Sequence, residues 1–159
     1  ELEFSNLTFI LRGKLIAPRM TFNNVSLVGE KGSLESEDIK VSGNTTFKNI
    51  RSTSNLNIDS GSILLEDSDL GNVYLNNGGI TLINKGSLNQ IDFTNIASLE
   101  DDINIVNYGT IKETNDALVL SDLINKDNLF FDNKGEYFTF KEKNYLNKDL
   151  FVLIVKLAY

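Results

Sequence analysis

Four short pieces of this chain share one pattern and recur at nearly constant spacing. Ile39-Lys40-Val41, Leu56-Asn57-Ile58, Val73-Tyr74-Leu75 and Ile91-Asp92-Phe93 are each apolar-x-apolar, and their first residues are separated by 17, 17 and 18 positions. One further step of 17 back from Ile39 reaches Phe22. A second strand-like piece follows inside two of the units. Ile63 and Leu65 lie seven and nine residues after Leu56, and Ile80 and Leu82 lie seven and nine after Val73. A Gly-bearing corner separates the two strands: Asp59-Ser60-Gly61-Ser62 in one unit, Asn76-Asn77-Gly78-Gly79 in the next, and Ser42-Gly43-Asn44 in the unit of Ile39.

A fixed period of this size marks a repeat architecture. One coil of short strands cannot bury its own inward face, but stacked coils can. The spacing therefore predicts Leu56 on Val73 on Ile91, and Ile58 on Leu75 on Phe93. Gly and Asn suit the corners, where a sharp bend needs positive φ, and stacked Asn side chains can form ladders. The predicted fold is all-β: a β-solenoid with coils of about 17–18 residues. A β-sandwich or jelly roll would also show frequent turns, but would not repeat the same internal offsets.

The frame blurs after about residue 100. Ile103-Asn104-Ile105, Leu118-Val119-Leu120 and Leu129-Phe130-Phe131 continue the strand idiom at uneven steps, and eight of the fifteen aromatic residues fall from Phe130 onward. We divide the chain into solenoid coils at 1–125 and aromatic-rich terminal coils or a cap of the same domain at 126–159. Phe130, Phe131, Tyr137, Phe138, Phe140, Tyr145 and Phe151 would either form a cap over open strand edges or serve as ordinary rungs with larger core residues. At the other end, Leu7-Thr8-Phe9-Ile10-Leu11 reads as a strand, and Pro18 suits an edge or bend. The chain begins at Glu1 rather than Met, which suggests a segment cut from something longer.

The composition narrows the chemistry. No Cys and no His occur, so thiolate sites, Ser-His triads and the commonest transition-metal ligand are absent. A net charge of -7 should repel a phosphate backbone, so nucleic acid is not an expected partner. The longest apolar run, Leu150 to Val155, is far short of the ~20 residues of a membrane helix and reads as a buried strand; no membrane span is expected. Acids cluster at Glu66-Asp67-Ser68-Asp69 and Glu100-Asp101-Asp102. Paired acids can serve glycoside chemistry or calcium, but neither cluster has the D-x-D-x-D-G pattern of a calcium loop, and solvated corners are the expected role. Arg occurs only at Arg12, Arg19 and Arg51, a sparse supply for the acid-plus-base groove of a polysaccharide lyase. Asn-x-Ser/Thr triplets at Asn6, Asn24 and Asn44 follow from 21 Asn residues by composition alone. No catalytic, metal or cofactor-binding residue is assigned, and no cofactor is expected.

The segment Leu75-Asn76-Asn77-Gly78-Gly79-Ile80-Thr81-Leu82-Ile83-Asn84-Lys85-Gly86-Ser87-Leu88, and Ile105-Val106-Asn107-Tyr108-Gly109-Thr110-Ile111 with its N-x-G-T-I idiom, resemble the passenger regions of Gram-negative autotransporters and related surface adhesins. The vacuolating-toxin-like passengers are one such group. The resemblance spans roughly residues 20–115. It implies a right-handed parallel β-helix, secreted or displayed at the bacterial cell surface or outer membrane. It implies adhesion to a host or neighbouring-cell receptor or glycan, without a catalytic centre. A self-assembling, bactofilin-like solenoid is the alternative, and a carbohydrate-active β-helix enzyme the third reading.

Overall fold

A computed structural model describes residues 1–96, 99–113, 118–123 and 126–139. In chain order the elements are β1 (Leu2–Ile16), β2 (Arg19–Glu35), β3 (Asp38–Ser42), β4 (Asn44–Arg51), β5 (Leu56–Ile58), β6 (Gly61–Leu75), β7 (Ile80–Asp92), β8 (Ile103–Asn107), β9 (Thr110–Glu113), α1 (Leu120–Leu123), β10 (Leu129–Asn133) and β11 (Glu136–Thr139). Every paired strand is parallel to its neighbour. The chain is a β-solenoid of about six turns.

Three inward columns build the core. On the first face Leu2, Met20, Ile39, Leu56, Val73 and Ile91 stack in register. The second face stacks Phe9, Leu27, Phe47 and Leu65, and the third ends on Leu70, Leu88, Ile111 and Tyr137. All of these except Leu2 and Phe9 are buried. Each such apolar side chain contributes roughly 1.5–3 kcal/mol by leaving water, which no single coil could secure alone.

The corners follow from backbone conformation. Gly13, Lys31, Asn49 and Asp67 have φ of 88°, 60°, 55° and 49°, and they recur at one constant step along the chain. Asn6, Asn24, Gly43 and Gly61 form a second left-handed column, with φ of 55°, 55°, 67° and 98°. Asn and Asp tolerate this region better than other side-chain-bearing residues. They bend long strands such as β1 and β2 around two corners without interrupting their pairing.

The predicted stack of Leu56, Val73 and Ile91 is present, as is Ile58 on Leu75. The register differs from the predicted frame in three places. Ile39 rests on Met20, not Phe22, because that coil is longer than the coils that follow it. Ile63 faces Leu82 and Leu65 faces Asn84, so the equal offsets of Ile63 and Ile80 do not place them together. The Asn76–Gly79 corner is longer, and it shifts the phase of the second strand. The later coils expand further, so that Ile80 pairs with Ile103, and Ile103 with Leu129. The uneven steps after residue 100 have this cause.

Leu118-Val119-Leu120 is not a strand. Val119 makes one antiparallel bridge to Asp92, and Leu120 opens the single-turn helix α1. The N–H of Phe93 donates to the carbonyl of Leu118 at 2.7 Å, so this segment covers the end of the first face where another parallel strand would otherwise lie. β10 and β11 stack in register on β8 and β9. Tyr137 is buried and Phe130 is 51% exposed. Phe140, Tyr145, Phe151 and the Leu150–Val155 run lie outside the described residues. Among the described residues, no helix is long and apolar enough to cross a membrane.

Candidate functional site

The outward residues of the third face stand in one row. Lys14, Ser33, Arg51, Asp69 and Ser87 occupy successive coils in register. Serine on either side of the charged pair leaves the row uneven, and Arg51 stands between two depressions. One, of about 410 Å³, is lined on the corner side by Lys14, Glu35, Ser52, Thr53, Gly71 and Asn89. The other, of about 360 Å³, is lined by Lys31, Gly32, Asn49 and Asp67. Ser33 and Arg51 border both, so the two depressions adjoin and together make an open groove on this face.

The charges in the groove are mixed. Lys14 is ion-paired to Glu35. Arg51 makes no ion pair among the described residues, although Asp69 is its register neighbour. Lys31, Asp67 and Asp69 are exposed and likewise outside the ion pairs among the described residues. Ser33, Thr53, Asn49 and Asn89 add neutral donors and acceptors. Ser52 is already committed: its hydroxyl donates to the carbonyl of Leu34 at 2.8 Å and accepts from the N–H of Ser54 at 3.1 Å. A surface with both signs and many hydroxyl and amide groups suits a hydroxyl-rich ligand better than a polyanion.

The first acidic cluster does not converge. Glu66 pairs with Lys48 at 3.8 Å on the second face, Asp67 turns the corner, and Asp69 joins the row beside Arg51. Ser68 points inward and accepts from the N–H of Ile50 at 3.0 Å. The second cluster uses its backbone: the carbonyl of Asp102 accepts from Gly79 N–H at 2.9 Å, and that of Glu100 from the side-chain amide of Asn128 at 3.1 Å. Among the described residues, no group of three or more acidic side chains is placed to hold a metal ion.

The three Asn-x-Ser/Thr triplets have structural positions. Asn24 donates to Asn6 Oδ1 at 3.2 Å, and its own Oδ1 accepts from the N–H of Asn44 at 2.9 Å. Asn76 donates to Asp59 at 2.7 Å and accepts from Asn95 at 3.0 Å. These are the corner ladders expected from composition.

Sequence reasoning missed two buried polar systems. On the second face, Asn84, Asn107 and Asn133 continue the column of Phe47 and Leu65 into the core. Each begins an Asn-x-Gly corner: Asn84-Lys85-Gly86, Asn107-Tyr108-Gly109 and Asn133-Lys134-Gly135. The recurrence of that tripeptide was the available signal. Between the corners' outward residues, Tyr108 lies with Lys85 Nζ at 5.4 Å and Lys134 Nζ at 5.3 Å from its ring centroid, within cation–π range. The second system centres on buried Glu113. Its carboxylate accepts from the Tyr137 hydroxyl, from Thr139 Oγ1 at 2.9 Å, and from the N–H and hydroxyl of Ser121 at 3.2 and 2.9 Å. No local motif announces it, because its partners come from α1 and β11.

No protein-family model matches the chain, and neither a curated protein nor a solved structure matches it.

Proposed function

We propose that this chain is a non-catalytic binding module of a secreted or surface-displayed β-helix, acting in adhesion to a glycan-bearing partner. The observation that carries the reading is the open groove on either side of Arg51, with Lys31, Asp67 and Asp69 outside any ion pair among the described residues. A rigid stack of coils holds these side chains at fixed spacing along the axis, as an extended hydroxyl-rich chain requires. The Asn-rich, N-x-G-T-I idiom and its resemblance to autotransporter passengers point the same way.

The test is binding of the full chain to a glycan array, followed by titration of the best ligand with Arg51→Ala and Asp69→Asn. Charge-assisted hydrogen bonds of about 1.5–3 kcal/mol correspond to losses of roughly 10–150-fold in affinity. An array with no bound glycan, or an Arg51→Ala protein that binds like the parent, sinks the proposal. Release of reducing or unsaturated ends from a polysaccharide panel would favour a carbohydrate-active enzyme instead.

A further inference from the structure

We propose that the corner end of the groove takes one anionic sugar unit, held between Lys31 and Arg51, within a glycan whose neighbouring units are neutral. This rests on the glycan reading of the same groove and adds to it the ligand's class and direction.

The two depressions differ in charge. The corner depression is lined by Lys31, Gly32, Ser33, Asn49, Arg51 and Asp67. Lys31 and Arg51 are exposed and outside the ion pairs among the described residues, so two cations there face one acid, Asp67. The other depression shares Arg51, but its lysine, Lys14, is already paired with Glu35, and Asp69 balances the guanidinium. Thr53 and Asn89 add neutral donors and acceptors on that side. Positive charge is therefore in excess at the corner end and balanced at the other.

The backbone at Lys31 points to the same place independently. Lys31 has φ of 60° in the corner column that Gly13, Asn49 and Asp67 also occupy. Among the described residues with positive φ, every other one is Gly, Asn or Asp. Gly has no Cβ to strain, and the short side chains of Asn and Asp bond locally. Lys has neither advantage, so this corner carries a strained residue where Asn would fit better. Strain of this kind gathers where a side chain has a task. Here it sets an ammonium in the same depression as the Arg51 guanidinium, and an anion between the two relieves their repulsion.

The acids limit the ligand's charge. Asp67 stands two coils beyond Lys31 on the same corner, about 10 Å away along the stack, and Asp69 is the register neighbour of Arg51. A glycan charged at every unit would bring anions against both. One carboxylate at Lys31 and Arg51, with hydroxyls donating to Asp67 and Asp69, meets each group with its complement.

The test compares, on a glycan array and then by titration of the full chain, glycans carrying a single uronic or sialic acid with their carboxyl-reduced counterparts and with polyuronates. The singly acidic glycan is expected to bind about tenfold or more tighter than its reduced form, and added salt should narrow the gap. Lys31→Asn places at the corner a residue that tolerates it. The thermal midpoint should therefore hold or rise, while the preference for the acid falls several-fold and binding of the reduced form is unchanged. Asp67→Asn should instead strengthen binding of polyuronates. Equal affinity for the acidic and reduced forms, with both weakened by Arg51→Ala, overturns the anionic assignment and leaves the glycan reading standing. A Lys31→Asn protein that keeps the full acid preference does the same. Polyuronates that bind the parent more tightly than singly acidic glycans overturn the limit to one charge. An array with no bound glycan overturns both the assignment and the reading beneath it.

Discussion

The side-chain amide of Asn84 donates to Asn107 Oδ1 at 2.9 Å, and Asn107 in turn donates to Asn133 Oδ1 at 2.9 Å. Both Asn84 and Asn107 are wholly buried. Each amide also holds its own corner: Asn107 Nδ2 reaches the carbonyls of Gly109 at 3.2 Å and Glu136 at 3.0 Å. One side chain thus satisfies polar groups in two successive coils, and the ladder continues a column that is apolar in the coils before it.

Asn107→Asp should therefore be costly. It replaces an amide that donates to three oxygens with a carboxylate oxygen facing all three. Asn133→Asp loses no such bond, because Asn133 Nδ2 is buried without a partner, while its Oδ1 still accepts from Asn107 and from the N–H of Gly135 at 3.2 Å. The expected loss for Asn107→Asp exceeds that for Asn133→Asp by about 2 kcal/mol or more. Chemical denaturation of the two variants side by side gives the comparison; equal midpoints would contradict it.

Gly109→Ala should open the stack. A Cβ at Gly109 would overlap the carbonyl oxygen of Gly86, and one at Gly135 would overlap that of Gly109. The obstacle is backbone, so the coils must separate. A methyl at Gly79 meets nothing within 4 Å but sits at φ +74°, a strain of roughly 1–2 kcal/mol. Gly109→Ala is thus expected to lower the thermal midpoint well below that of Gly79→Ala, and the reverse order would refute the close-approach account.

Glu113→Gln should destabilise the last described coils. The carboxylate accepts from Tyr137, Thr139 and Ser121, whereas an amide nitrogen in one of its places can accept none. The expected loss is about 2–4 kcal/mol. Tyr137→Phe removes one donor and leaves the remaining donors to the carboxylate, so about 1–2 kcal/mol is expected there. Hydrogen exchange should report both losses first in β9 and β11 and least in β2 and β3.

The Lys134 amine should hold its proton above the ordinary lysine value of 10.5. The Asp132 carboxylate, 3.5 Å away, favours the charged form, and Tyr108 adds to it. A raised value means that this contribution to stability is fully present below 10.5 and is lost as pH rises through the folded value. Asp132→Asn should bring the titration midpoint of Lys134, followed by NMR, back toward 10.5; an unchanged midpoint would falsify the assignment.

Much of the fold was legible in residues 39–93, where apolar-x-apolar pairs recur at 17–18 positions and a single inward face demands stacking. The groove was not. Arg51 and Asp69 are well separated in a stretch with several acids and bases, and only the register decides which of them are neighbours. The buried amides were hidden for a different reason. An Asn before x-Gly reads as a solvent-facing turn residue, and the inward orientation of Asn84 depends on the phase shift at the preceding corner.

The hydrophobic period alone requires this chain to stack β-coils, because it leaves each coil one face too apolar to expose and too small to bury alone. Which residues share a column, which coils expand, and where Asn replaces an apolar rung were settled by the packing in three dimensions. Those features follow from corner length, and corners carry no hydrophobic pattern from which their phase can be read. The additional residues they admit rotate every side chain that follows, and the stack then fixes the register by burying whatever that rotation turns inward.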